Sequence, residues 1–397
     1  MKLRFEGDIF GMEKGIEIFS KEFGYKVCSD GMTVEVLKDT VNRIQVSKKG
    51  DKVVVRYYER IHFFRALGLL IEAMNQKEEF DIMEEPQFSM NGIMIDVSQS
   101  NAVINVDNVK KIIYRMSIMG LNMLMLYTED NYEINGEPYF GYMRGRYSQD
   151  ELREIDDYAY ELGVEIIPCI QTLAHLIDAL KWACYSDIKD DDDTLLVGCD
   201  KTYEFIEKMI ASVSSPLRSK RIHIGLDEAW KLGQGNYLLK NGYRSKFDIM
   251  NEHLDRVMQI TSKYGLKPMM WSDMFFRATS ERGMYYEKDV VIPKEVLDKM
   301  PKGMQLVYWD YYNNDEDFYS GFIKKHKEFG SDPIFAGGIW NWTSFGVNYG
   351  KTFKTTNSAL TACKKEGVKE VFATLWGDDT TESNIYSALL GMQLFAE

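Results

Sequence analysis

The fold predicted for this sequence is a (β/α)8 barrel of the α/β class, preceded by a small α+β domain. Three observations predict it. From Asn91 onward, eight short apolar runs (NGIMIDV, LNMLMLY, VEIIPCI, RIHIGL, LKPMMW, MQLVYW, PIFAGGIW and EVFATLW) alternate with longer amphipathic segments. Three of those segments, VDNVKKIIYRMSIMG, SQDELREIDDYAYELG and SKFDIMNEHLDRVMQITSKYG, end at or near a glycine able to cap a helix. The count closes with TESNIYSALLGMQLFAE as the eighth helix. A doubly wound open sheet is the competing layout, but no glycine-rich phosphate loop follows any of the strands.

The elements follow in chain order. Residues 1–85 form the small domain, in which MTVEVL, NRIQVS and KVVVRYY alternate as strands and ERIHFFRALGLLIEAM has helical spacing. The acidic, proline-containing stretch KEEFDIMEEPQ, residues 77–87, breaks the pattern and marks the boundary. Residues 86–397 then form the barrel, whose chemistry belongs at the C-terminal ends of its strands.

Composition narrows the function classes. The 397 residues carry 48 Lys and Arg against 61 Asp and Glu, a net charge of −13, which disfavours nucleic acid and other phosphate-rich partners. A hydrophobic fraction of 45% with only 8 prolines supports a large core and little disorder. The N-terminal MKLRFEGDIFGMEKG has no apolar signal region, and no run approaches the roughly 18 apolar residues of a membrane span. Cys28, Cys169, Cys184, Cys199 and Cys363 are odd in number and scattered, without a CxxC pair, so a reducing cytoplasm is expected.

The fourth strand runs into Arg221-Ile-His-Ile-Gly-Leu-Asp-Glu-Ala-Trp230. Alternation puts His223, Gly225 and Asp227 on one face, and Glu228 follows as the strand ends. Adjacent carboxylates in a cleft repel, which suits one proton donor and one anion. The plainer reading is an Asp that caps the next helix beside a solvated Glu. Five of the seven tryptophans, Trp271, Trp309, Trp340, Trp342 and Trp376, fall at the ends of strands five to eight, where indoles suit the apolar faces of a sugar. The acidic run Asp190 to Asp193 lacks the spaced ligands of a calcium loop and reads as a solvated turn, so no metal is expected.

HxGxDE at the end of a fourth barrel strand, joined by GIMIDVS, RGRYSQDELREIDDYAYELGVEIIP and LWGDD, resembles glycoside hydrolase family 20, the β-N-acetylhexosaminidases. The likeness runs from about residue 60 to the end and is greatest to bacterial cytoplasmic N-acetylglucosaminidases. It implies substrate-assisted retaining hydrolysis, in which the sugar's own acetamide oxygen attacks C1. Glu228 is then the general acid and base, and Asp227 holds the acetamide and the developing charge. Tyr308 and Asp310 take the family's tyrosine on the acetamide carbonyl and its acid on the hydroxyls, or else are simply rim residues. His175 supports the acid, paired with Glu129 or Asp130, unless it is a satisfied structural histidine. Trp376 and Asp378 match a Trp-x-acid pair, with an acid shorter than the usual Glu.

Asp96 is expected to line the mouth. Gln99 stands where the family has an arginine, and offers hydroxyls no charge; Asn101 is the alternative in a shifted frame. The resemblance implies an enzyme without cofactor, acting on terminal β-linked GlcNAc, or GalNAc, of short glycans. The rivals are a two-carboxylate barrel glycosidase and a catalytically weak sugar-binding barrel. A homodimer that closes the pocket with a neighbour's residue and a further helical domain past the eighth helix are both compatible with the resemblance.

Overall fold

The computed structural model describes residues 1–98, 103–378 and 383–397. The first domain is a six-stranded mixed sheet of β1 (Lys2–Gly7), β2 (Lys26–Val27), β3 (Met32–Lys38), β4 (Ile44–Lys49), β5 (Lys52–Tyr57) and β6 (Phe80–Glu84). Its order is β2-β1-β3-β5-β4-β6, with β4 antiparallel to both neighbours. Alternation buries Val34, Val36, Val53, Val55 and Tyr57 on one face and leaves Arg4, Glu35 and Arg56 on the more open one. Helices Glu13–Phe23 and Arg60–Gln76 cover the buried face, where Phe19 and Phe64 pack with ring centroids 5.0 Å apart.

The segment 77–87, expected only as a break, therefore contains a strand. Its signal is weak because β6 is an edge strand in which half-buried Phe80, Ile82 and Glu84 alternate with exposed Asp81 and Met83. Strand β1 and helix Glu13–Phe23 also lie outside the elements the sequence predicted.

The barrel is closed and wholly parallel. Its strands are β7 (Met90–Asp96), β8 (Met123–Thr128), β9 (Glu165–Ile170), β10 (Arg221–His223), β11 (Lys267–Trp271), β12 (Gln305–Trp309), β13 (Ile334–Gly338) and β14 (Glu370–Leu375), with β14 pairing back to β7. Each coincides with one of the eight apolar runs. Several of the helices between them begin on side-chain caps. Asn105 accepts from the amide of Asn108, and Ser148 and Glu151 form a reciprocal capping box. After the eighth strand a short turn, Ile385–Ala388, leads into helix Leu389–Ala396. Among the described residues no helix is long and apolar enough to cross a membrane.

One departure positions the site. β10 ends at His223, so alternation does not carry through to Asp227. Instead Gly225, Leu226 and Glu228 are left-handed, with φ of 72°, 71° and 49°. The segment stays fastened to β11 because Ile224 donates to the Met269 carbonyl at 2.9 Å and Trp271 donates to the Gly225 carbonyl at 3.1 Å. A Cβ added at Gly225 would lie 2.0 Å from Gln171 Oε1 and 2.9 Å from the Ile170 carbonyl oxygen. Gly225→Ala is therefore expected to cost about 1–3 kcal/mol, read as a lowered Tm, and to displace Gln171. An unchanged Tm would show that the turn tolerates a side chain.

Candidate active site

The C-terminal ends of the barrel strands converge on a cavity of about 120 Å³ lined by Tyr127, His175, Asp227, Glu228, Trp271, Trp309, Tyr311, Tyr312, Trp342, Trp376 and Asp378. Larger hollows of about 390 and 870 Å³ lie at the domain junction and at the N-terminal end of the barrel. Neither brings adjacent carboxylates together with indole rings, so chemistry rather than volume identifies the site.

Asp227 is buried and held on both oxygens. Gln171 Nε2 donates to Oδ1 at 2.7 Å, and His175 Nε2 lies 3.3 Å from Oδ2. Burial alone would raise this carboxyl, but His175 and Gln171 hold it below the usual carboxylate range. The same pairing keeps the imidazole charged: burial opposes protonation, yet Asp227, with Glu129 and Asp193, lifts His175 to about 10. Glu228 is the opposite case. Burial, then the charges of Asp227 and Asp273, push it up to about 7 against the pull of His175 and Arg277. Two neighbouring carboxyls thus differ in protonation near neutral pH, one ionised and one at its midpoint.

Gln171 links a longer chain. Its Nε2 also donates to the Tyr127 hydroxyl at 2.8 Å, which donates in turn to Glu129 Oε1 at 3.2 Å. Burial and the charge of Asp96 raise Glu129 to about 8. Of the two acids expected to pair with His175, Glu129 is the one whose charge acts on the imidazole, while Asp130 is turned to Arg144 Nε at 2.9 Å. His175 itself stands nearer Asp227 than Glu228, at 3.3 against 3.9 Å, so it supports the anion more directly than the acid.

Four of the five predicted tryptophans line the cavity. Trp340 does not: it stacks behind Trp342 at 4.4 Å, and its Nε1 donates to the Tyr311 carbonyl at 2.8 Å. Tyr308 and Asp310 are corrected outright. The Tyr308 ring packs against Phe322 and His326 of helix Glu316–Lys327, between the barrel wall and its outer layer, and its hydroxyl donates to Asp310 Oδ2 at 2.9 Å. Their neighbours Trp309, Tyr311 and Tyr312 face the mouth instead. Asp96 lies fully buried beneath the mouth, accepting from Ser98 at 2.8 Å and from the Gly377 amide at 2.8 Å. Asp378 does line the cavity. Gln99 and Asn101 fall outside the described residues.

The acidic run is a turn, but Asp190 is buried in it and accepts from the amides of Gly233 and Tyr237 at 2.8 and 2.7 Å. It ties the turn to the loop that follows Glu228. Gln171, Tyr311, Tyr312, Asp273 and Arg277 were not singled out from sequence. Only the tyrosines carried a signal, since they continue the aromatic run that ends β12.

Comparison with known proteins agrees with this geometry. The model of the glycosyl hydrolase family 20 catalytic domain matches residues 88–384. A probable beta-hexosaminidase of Arthroderma benhamiae is 23% identical over 77% of this chain, and a beta-hexosaminidase of Porphyromonas gingivalis is 22% identical over 69%. The chain spans 57% and 40% of those two relatives' lengths. Among solved structures, the family 20 beta-N-acetylhexosaminidase of Streptomyces coelicolor superposes over the whole chain and 86% of its own, with a TM-score of 0.75 at 18% identity, a likeness of fold.

Proposed function

The chain belongs to glycosyl hydrolase family 20, and from that premise we propose that it is an exo-acting β-N-acetylhexosaminidase. Its substrate on this reading is a terminal β-linked GlcNAc, or GalNAc, released by substrate-assisted retaining hydrolysis. The observation that carries the reading is the adjacent pair Asp227 and Glu228 at an indole-walled mouth, with Asp227 fixed between Gln171 and His175.

Glu228, at its midpoint near neutral pH, donates a proton to the departing glycosidic oxygen and afterwards accepts one from the attacking water. The acetamide oxygen closes on C1 and an oxazolinium ion forms. Asp227, anionic and fixed by Gln171 and His175, accepts from the acetamide N–H and offsets the developing positive charge. The indoles of Trp271, Trp342 and Trp376 wall a small slot that suits the acetamide methyl and one sugar ring. Asp378 on the same wall accepts from outer hydroxyls.

The geometry disfavours the two-carboxylate rival. On that reading Asp227 would be the nucleophile or the base, whereas Gln171 and His175 fix it as an oriented anion beside the sugar. We also take the chain to act in the cytoplasm, a reading supported by five unpaired thiols. The test is hydrolysis of a chromogenic β-GlcNAc glycoside beside the β-glucoside, with a thiazoline mimic of the intermediate as inhibitor. Turnover of the GlcNAc substrate alone, with strong inhibition, is the expected result. Turnover of both sugars would favour the rival, and ligand binding without turnover would favour a sugar-binding barrel.

A further inference from the structure

We propose that Asp273 and Arg277 are positioning residues for Glu228: the Asp273 carboxylate grips its main chain, the Arg277 guanidinium faces its side chain, and together they aim the acid and tune its protonation. The inference deepens the functional reading and rests on it for the role of Glu228 in turnover; the geometry below does not depend on that role.

Glu228 needs a support. Its φ of 49° is a left-handed conformation that a side chain occupies only when its surroundings hold it there. The support comes from helix Asp273–Thr279, which begins two residues after β11. Asp273 is fully buried, and its Oδ2 accepts from the Glu228 amide at 3.2 Å and from Arg277 Nε at 3.0 Å. One turn later, Arg277 Nη2 stands 3.6 Å from Glu228 Oε1. That separation is too long for a hydrogen bond, so the cation attracts the charge without capping the oxygen that must carry the proton. The guanidinium carbon lies over the indole of Trp230, 4.2 Å from its centroid, and Trp230 is half exposed at the rim just past Glu228. Asp273 Oδ1 is buried without a hydrogen-bond partner, so a full negative charge there is costly, and burial with the charge of Asp227 raises its carboxyl to about 6.

Among the described residues, charged and titratable groups face Glu228 from four segments. Asp227 belongs to its own segment, and His175 approaches at 3.9 Å from the loop after β9. Asp273 and Arg277 come from the helix after β11, and Tyr311 and Tyr312 from the loop after β12. After burial, Asp227 and then Asp273 raise the Glu228 carboxyl while His175 and then Arg277 oppose them, so the helix after β11 supplies one group to each side of the balance. A carboxyl that first gives and then takes a proton works best at the pH where both forms are populated.

The test is a carbon-13 titration of the full-length chain carrying carboxyl-labelled glutamate, with the Glu228 signal identified by its loss in Glu228→Gln. Asp273→Asn keeps an acceptor for the Glu228 amide while removing the charge, and is expected to lower the Glu228 midpoint by roughly one pH unit. Arg277→Met added to that background removes the opposing cation and is expected to raise the midpoint again. Arg277→Lys in the parent is expected to leave it nearly in place. Trp230→Leu, at an exposed site that puts folding at little risk, releases the guanidinium and is expected to raise it modestly. Midpoints that do not respond, or that move in the same direction for Asp273→Asn and for the added Arg277→Met, would overturn the proposal. A chain whose titration responds as expected but which cleaves no β-GlcNAc glycoside keeps the positioning and loses the functional reading; cleavage without that response does the reverse.

Discussion

Glu228→Gln is expected to lower kcat by about 10² to 10⁴ for a β-GlcNAc glycoside with an unactivated leaving group, with KM little changed. The amide has the size of the carboxyl and keeps an acceptor toward Arg277, so binding survives while proton donation is lost. A leaving group that departs without a proton should show a much smaller loss in the first step, which separates acid catalysis from misfolding. The pH profile supplies a second check. Burial first, and then Asp227 and Asp273, lift the Glu228 carboxyl to about 7, so its protonated form is lost as pH rises through that value. The parent's kcat/KM is therefore expected to fall on the alkaline side of about pH 7, and Glu228→Gln to have no such limb because an amide does not titrate. A parent profile flat from pH 6 to 9, or a variant that retains the limb, would assign the proton to another group.

The barrel was legible because parallel strands are buried on both faces and read as unbroken apolar runs. That same property hid the inward from the outward side. Tyr308 and Trp309 are neighbours in β12 and both are buried, yet only Trp309 reaches the cavity, while Tyr308 lies against Phe322 and His326. No pattern of hydrophobicity distinguishes the barrel axis from the layer between barrel and helices. The Asp227–Glu228 pair was legible as a dipeptide at a strand end, but the left-handed turn that aims it was not, because of its four residues only Gly225 signals such a backbone. Gln171, Asp273 and Arg277 act across loops brought together by closure of the barrel, and a contact between residues more than 40 positions apart leaves no local trace. Strand β6 was missed for the reverse reason: at the sheet edge its outward side chains, Asp81 and Met83, are solvated, and Pro86 soon ends it.

Asp227→Asn is expected to reduce kcat by about 10² to 10³, the scale on which loss of one preorganised charge-stabilising group acts. The anion is held ionised against burial, and an amide in its place leaves the positive charge that develops on the sugar without this counter-ion. The substitution also disturbs what surrounds it. Gln171 Nε2 and His175 Nε2 approach opposite oxygens, so an NH2 turned to Gln171 faces a donor, and one turned to His175 is accommodated only when the imidazole gives up its Nε2 proton. The imidazole reports this directly. Asp227 is what holds His175 at about 10 in spite of burial, so in the variant burial prevails and the ring should lose its proton at a lower pH, seen in its carbon-bound proton signals. Loss of that charge removes one of the two cations that favour ionisation of Glu228, but neutralising Asp227 removes the largest anion that favours its protonation, so the sign of the change at Glu228 is set by the nearer group. Asp227 is the adjacent residue and His175 stands 3.9 Å away across the mouth, which predicts that the alkaline limb of the residual activity moves to lower pH. A limb that stays at about pH 7 while His175 titrates lower would show that the two carboxyls act independently, and that the divided protonation on which the proposed mechanism depends comes from burial alone.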